Sequence, residues 1–140
     1  MFRLFRYHAP TQSATPPREH VLVFDGGCHF CAASAEFIRR HARTKVRLVP
    51  FSKLGRYDFL ISLNQSQILV SAHYITPEGK EYHGGESITR ALRLLPRTQV
   101  ICLLDLWGVA FFRELAYTLV ASSRPMISKL TRLLGFPFPI

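Results

Sequence analysis

The chain has 140 residues, with 48% apolar and 19% charged side chains and 11 phenylalanines, enough apolar matter for one core-forming domain and too much for disorder. Lys and Arg number 18 against 9 Asp and Glu, a formal charge of +9, which bears on partners rather than on fold. Three cysteines, Cys28, Cys31 and Cys102, are too few and too odd for a secreted disulfide framework. The most apolar stretch, 100–121, is interrupted by Asp105, Arg113 and Glu114, so no run of about 18 apolar residues is left for a membrane span.

Residues 1–19 are predicted to be a flexible basic tail. Arg3, Arg6 and Arg18 occur before any acid, and Pro10, Pro16 and Pro17 break the pattern. The segment has the charge of an organelle transit peptide, but its helical pattern stops at Pro10, and it lacks the continuous apolar core of a secretory signal. Residues 20–97 form the expected core and 98–140 an apolar helical extension packed on it. Within the core, the β-branched run 21–24 predicts a strand buried on both faces, closed by the Asp25-Gly26-Gly27 turn. Helical spacing follows over 29–42, with Phe30, Ala33, Phe37 and Ile38 toward the core and Glu36 placed to pair with Arg40. A second strand over 46–51 ends at Pro50, making a right-handed βαβ unit.

Residues 52–64 then carry a helical set of apolar positions. A strand within 67–76, a turn at 77–80 and a returning strand at 81–83 predict a hairpin ended by Gly84-Gly85. A helix is expected over 87–95, with Ile88, Ala91, Leu92 and Leu95 on one face. Two or three apolar helices over 98–134, broken near Gly108 and Pro125, should pack on the sheet. The fold class is therefore α/β (α+β), in the order β-α-β-α-β-β-α plus the helical extension, which is the thioredoxin-like arrangement.

Cys28-His29-Phe30-Cys31 carries the chemistry. The first cysteine follows the buried strand by a Gly-Gly turn, where a helix begins, so both sulfurs lie near one helix N-terminus. The free amides and positive dipole end there stabilise a thiolate, the attacking species in disulfide exchange. Cys28 is read as the nucleophile. Cys31, one turn further in, is read as the more buried, resolving thiol. Asp25 either caps the turn or accepts the Cys31 proton, if burial raises its own pKa; the sequence leaves both open. His29 would tune the redox potential with Gly26 and Gly27 beside it, and Phe30 is read as core.

The run from Val21 to Cys31, V-L-V-F-D-G-G-C-H-F-C, resembles the signature of the DCC family of thioredoxin-like thiol-disulfide oxidoreductases of bacteria and plastids, named for D-x-x-C-x-x-C. Arg39-Arg40-His41, Val49-Pro50-Phe51, Gly85-Glu86-Ser87, Ala91-Leu92 and Ala116-Tyr117…Val120-Ala121-Ser122-Ser123-Arg124 look like further family positions. The resemblance implies a thioredoxin-like fold, thiol-disulfide exchange, and Asp25, Cys28 and Cys31 as the defining site residues. Thioredoxins set a cis-proline at the start of the third strand and a Trp before the first cysteine; residues 64–71 hold no proline and no Trp precedes Cys28.

Other constellations are weaker. A structural zinc site takes four ligands, and no second C-x-x-C or H-x₃₋₅-H is present; His41 and His83 lack suggestive spacing. A c-type haem signature is excluded by Ala32. No metal and no cofactor beyond the dithiol is expected. Cys102 reads as an inert core thiol. Arg39, Arg40, Arg43, Lys45, Arg47, Lys53 and Arg56 lie in one acid-free stretch, 37–57. They are expected to add a positive field near Cys28 and to attract an acidic partner or an anionic membrane surface, not a specific nucleic acid. The expected activity is protein-disulfide reductase chemistry on a disulfide-bearing protein or small thiol, with a reductant such as thioredoxin or glutathione, in the reducing bacterial cytoplasm. The alternative is a basic, non-catalytic thioredoxin-fold module that binds or senses redox state.

Overall fold

The computed structural model describes residues 11–12, 15–56, 71–98 and 107–135. The elements run β1 (Thr11–Gln12), β2 (His20–Phe24), α1 (His29–His41), β3 (Val46–Pro50), a 3₁₀ turn (Phe51–Arg56), β4 (His73–Ile75), β5 (Lys80–His83), α2 (Gly84–Leu92), α3 (Trp107–Ser122) and α4 (Arg124–Leu133). The sheet order is β1-β5-β4-β2-β3. β2 pairs parallel with β3, Leu22 opposite Leu48, and antiparallel with β4, Leu22 opposite Tyr74. β4 and β5 form the expected hairpin, Tyr74 opposite Tyr82. The arrangement is thioredoxin-like with a helical C-terminal extension.

The central strand explains the sheet's two-sided core. Val21, Leu22 and Val23 are all buried, because β2 is covered on both faces. Alternation sends Leu22, Tyr74 and Tyr82 to one face, under Ala35 and Ile38 of α1 and Ala91 of α2. Val21, Val23, Val49 and Ile75 take the other face, with Phe51 and Leu54 of the 3₁₀ turn against them. α1 buries Ala33, Ala35 and Ile38, while Phe37 is 50% exposed. This corrects the expected face. The 3.6-residue period sets 35, 38 and 42 over the sheet, and the Phe37 ring instead lies 4.3 Å from that of His41.

Three further expectations change. Within the expected tail, Thr11–Gln12 pairs antiparallel with β5, since an open strand edge recruits backbone whatever the side chains are. Glu19 forms an ion pair with Arg47, which ties the approach to β2 onto β3. The helix expected from residue 87 begins at Gly84, and its cause is remote in sequence. The Gly85 amide donates to Glu114 Oε2 of α3 at 3.1 Å, so a carboxylate from another helix satisfies the N-terminus.

The break expected near Pro125 falls at Ser123, with Pro125 in the first turn of α4, where no amide is needed; α3 is described from Trp107, beside the break expected near Gly108. α3 packs on α2 and α4 on α1, rather than on the sheet, because α1 and α2 already occupy that face. Their outer sides leave Phe112, Leu119, Met126 and Leu133 exposed. The remainder of the predicted 52–64 helix, the 67–70 strand segment and Cys102 lie outside the described residues.

Candidate active site

The turn after β2 places both cysteines. Asp25 Oδ1 accepts the Gly27 amide at 2.9 Å, and the Cys28 amide donates to the Asp25 carbonyl at 3.2 Å. A Cβ on Gly26 would lie 2.9 Å from Pro50 Cβ, so the turn can pass the end of β3 only with glycine there. Cys28 is the N-cap of α1, in extended conformation, and its Sγ accepts the Cys31 amide at 3.2 Å. Asp25 thus shapes the turn, and the cap itself falls to the sulfur. An amide bond of this kind strengthens when the sulfur carries charge.

The expected burial of the pair is reversed. Cys28 is only 6% exposed, whereas Cys31 is half-buried; both are free thiols. Burial pushes the Cys31 thiol up to about 12, with the neighbouring Cys28 adding to it by hydrogen bond and charge. Asp25 acts in the same direction, and the Arg124 guanidinium acts against it. Cys31 therefore holds its proton at neutral pH.

α4 lies along α1 beside Cys28. The His29 amide donates to Ser128 Oγ at 3.2 Å, and His29 Nδ1 bonds Thr131 Oγ1 at 3.2 Å. Ser128 and Thr131 are one turn apart, so one face of α4 presents both hydroxyls to the start of α1. His29, one of the two residues between the cysteines, thereby latches the extension onto the site. No local signal marks this, because the partners are 99 and 102 residues away.

A second contact reaches the site from α3. Arg124 donates to the Tyr117 hydroxyl at 3.0 Å, and that oxygen also accepts the Ala72 amide at 2.9 Å. Ala72 immediately precedes β4, and its carbonyl accepts from the Gly84 amide at 3.1 Å and from Ser87 Oγ at 3.0 Å. The approach to β4 is thus held from both α2 and α3. Tyr117 and Arg124 belong to the stretch singled out above by resemblance, but their meeting at the hydroxyl that accepts the Ala72 amide is visible only in three dimensions.

Three of the seven basic residues in the 37–57 stretch are paired with acids. Arg39 and Arg40 both bind Glu36, holding its carboxyl down at about 2, and Arg47 binds Glu19. Arg39 and Arg40 also sit in the last turn of α1, roughly 16 Å along the axis from Cys28, beyond the screening length of physiological salt. Arg124 is the cation acting on Cys31. Among the described residues the cysteines are not part of a metal-ligating cluster; the one such group, His73, Glu81 and His83, lies on the β4–β5 hairpin.

Compared with known proteins, residues 22–130 match the model of a family described as DCC1-like thiol-disulfide oxidoreductase, which runs from within β2 through the cysteine pair to most of α4. No curated protein and no solved structure gives a significant match.

Proposed function

This chain belongs to the DCC1-like thiol-disulfide oxidoreductase family, and we propose that it reduces protein disulfides through Cys28 and Cys31. The observation that carries the reading is the Cys28 sulfur seated as the N-cap of α1, accepting the amide of a Cys31 that keeps its proton. The Cys28 thiolate attacks one sulfur of a substrate disulfide. A Cys28–substrate bond forms, and the other substrate sulfur leaves as a thiolate that takes up a proton. Cys31 then loses its proton and attacks Cys28 Sγ, which releases the second substrate thiol and leaves a Cys28–Cys31 disulfide. The two electrons come from the dithiol, and an external dithiol or glutathione restores it.

Asp25 serves the second step. Its charge opposes ionisation of Cys31 in the resting dithiol, and in this reading the same carboxylate takes up that proton when Cys31 attacks. Arg124 balances it by favouring the Cys31 thiolate once formed. Disulfide-reductase assays test the reading directly. Cys28→Ser should abolish turnover, and Cys31→Ser should accumulate a Cys28–substrate mixed disulfide; unchanged turnover in Cys28→Ser refutes it.

One observation favours a second reading, a redox-sensing module. Cys28 is only 6% exposed, and its neighbour His29 is bonded to α4, so the sulfur offers a bulky disulfide substrate little surface. A sensor would form the Cys28–Cys31 bond without multiple turnovers of any disulfide substrate, which the same assay distinguishes.

A further inference from the structure

The β4–β5 hairpin carries a second group of chemistry-bearing side chains. His73 is paired with His83 and Ile75 with Glu81, and alternation sends positions 73, 75, 81 and 83 to one face. It is the face of Val21, Val23 and Val49, opposite the one that α1 and α2 cover. One donor atom from each of His73, Glu81 and His83 lies within 4.8 Å of the others. His73 and Glu81 are fully buried. His73 Nδ1 stands 3.6 Å from Glu81 Oε1, outside hydrogen-bond range, and the His73 and His83 rings meet edge to face at 5.5 Å.

We propose that His73, Glu81 and His83 form a binding site for a divalent transition-metal cation of the zinc type. Two imidazoles and a carboxylate are a donor set that such ions take, with one coordination position left over. Bonds of about 2.0–2.2 Å set tetrahedral donors roughly 3.3 Å apart, so side-chain rotations that draw the three inward by about 1 Å complete the set. His83, the least covered of the three, marks the side from which the ion enters. Along the chain there is no second C-x-x-C and no H-x₃₋₅-H, and the spacing of His83 suggests no site. The donors here are joined by strand register, H-x₇-E-x-H across a turn, which a search for close pairs along the chain does not register. The proposal is independent of the redox reading.

The test uses the full chain with Cys28→Ser and Cys31→Ser, so that the thiols of the site cannot take the metal. Cobalt(II) titration should give a visible d–d spectrum saturating at one equivalent, and zinc should displace it and raise the melting temperature. His83→Gln, a change at a part-covered position, should weaken binding at least tenfold, and Glu81→Gln likewise where it folds. Failure to bind cobalt, equal affinity in His83→Gln, or a thiolate charge-transfer band showing Cys102 as ligand would each overturn the proposal.

Discussion

His29, the first residue of α1, is hydrogen-bonded through Nδ1 to Thr131 Oγ1 of α4 at 3.2 Å, joining the cysteine motif to the far end of the chain. With the His29 amide on Ser128, this contact keeps α4 beside Cys28. Each such bond contributes on the order of 1 kcal/mol, roughly fivefold in an opening equilibrium. Ser128→Ala with Thr131→Val should therefore speed alkylation of Cys28 about fivefold or more, with little change in global stability. An unchanged rate would show that α4 does not limit access.

Glu114 and Gly85 should behave as one unit. Glu114→Ala removes the carboxylate from the α2 N-terminus and should cost about 1 kcal/mol, the usual loss for a helix cap. Gly85→Ala puts a Cβ 2.8 Å from Glu114 Oε1 and should displace the same group at similar cost. The double variant should then be less than additive in denaturant melts. Strict additivity would disconnect the two.

This pair marks the limit of what the sequence makes legible. β2, the Gly-Gly turn, α1 and the hairpin follow from local pattern and turn chemistry, and so does the site's core, Cys28 and Cys31 at a helix start. The start of α2 at Gly84 does not, because its cap comes from another helix. Nor does the burial order of the cysteines. Helical position alone sets Cys31 deeper, yet Cys28 is the buried one, with α4 bonded to its neighbour His29 through Ser128 and Thr131. The exposure of Phe37 does not follow from the apolar spacing of α1, and, while the Glu36–Arg40 pair follows from i,i+4 spacing, the pairing of Arg47 with Glu19 comes from neighbouring strands.

Cys31 should titrate late. Its folded-state pKa is raised, so the protonated thiol is favoured by folding; that stability is complete below the ordinary thiol value near 9 and is lost as pH climbs toward about 12. In Cys28→Ser, burial remains as the largest cause, and the midpoint of the pH–alkylation profile of Cys31 should still lie above 9. A midpoint at or below 9 would contradict the burial argument.

Gly26→Ala should strain the motif turn. The added methyl meets Pro50 Cβ at 2.9 Å, neither of them on a flexible side chain, and forcing the strand end and turn apart should cost about 1–3 kcal/mol. Equilibrium denaturation checks this, and a change below about 0.5 kcal/mol, the range of a neutral surface substitution, would show that the approach is looser than it looks.

The account stands or falls on whether Cys28 and Cys31 form one redox couple. Equilibrating the full chain with defined thiol–disulfide buffers, quenching with acid and counting free thiols by alkylation and mass spectrometry measures it. The predicted result is a reversible two-electron transition in which Cys28 and Cys31 lose alkylation together, with an intramolecular bond between them. Two cysteines that stay independently alkylated across the whole range, or that oxidise only to mixed disulfides with the buffer thiol, would contradict it.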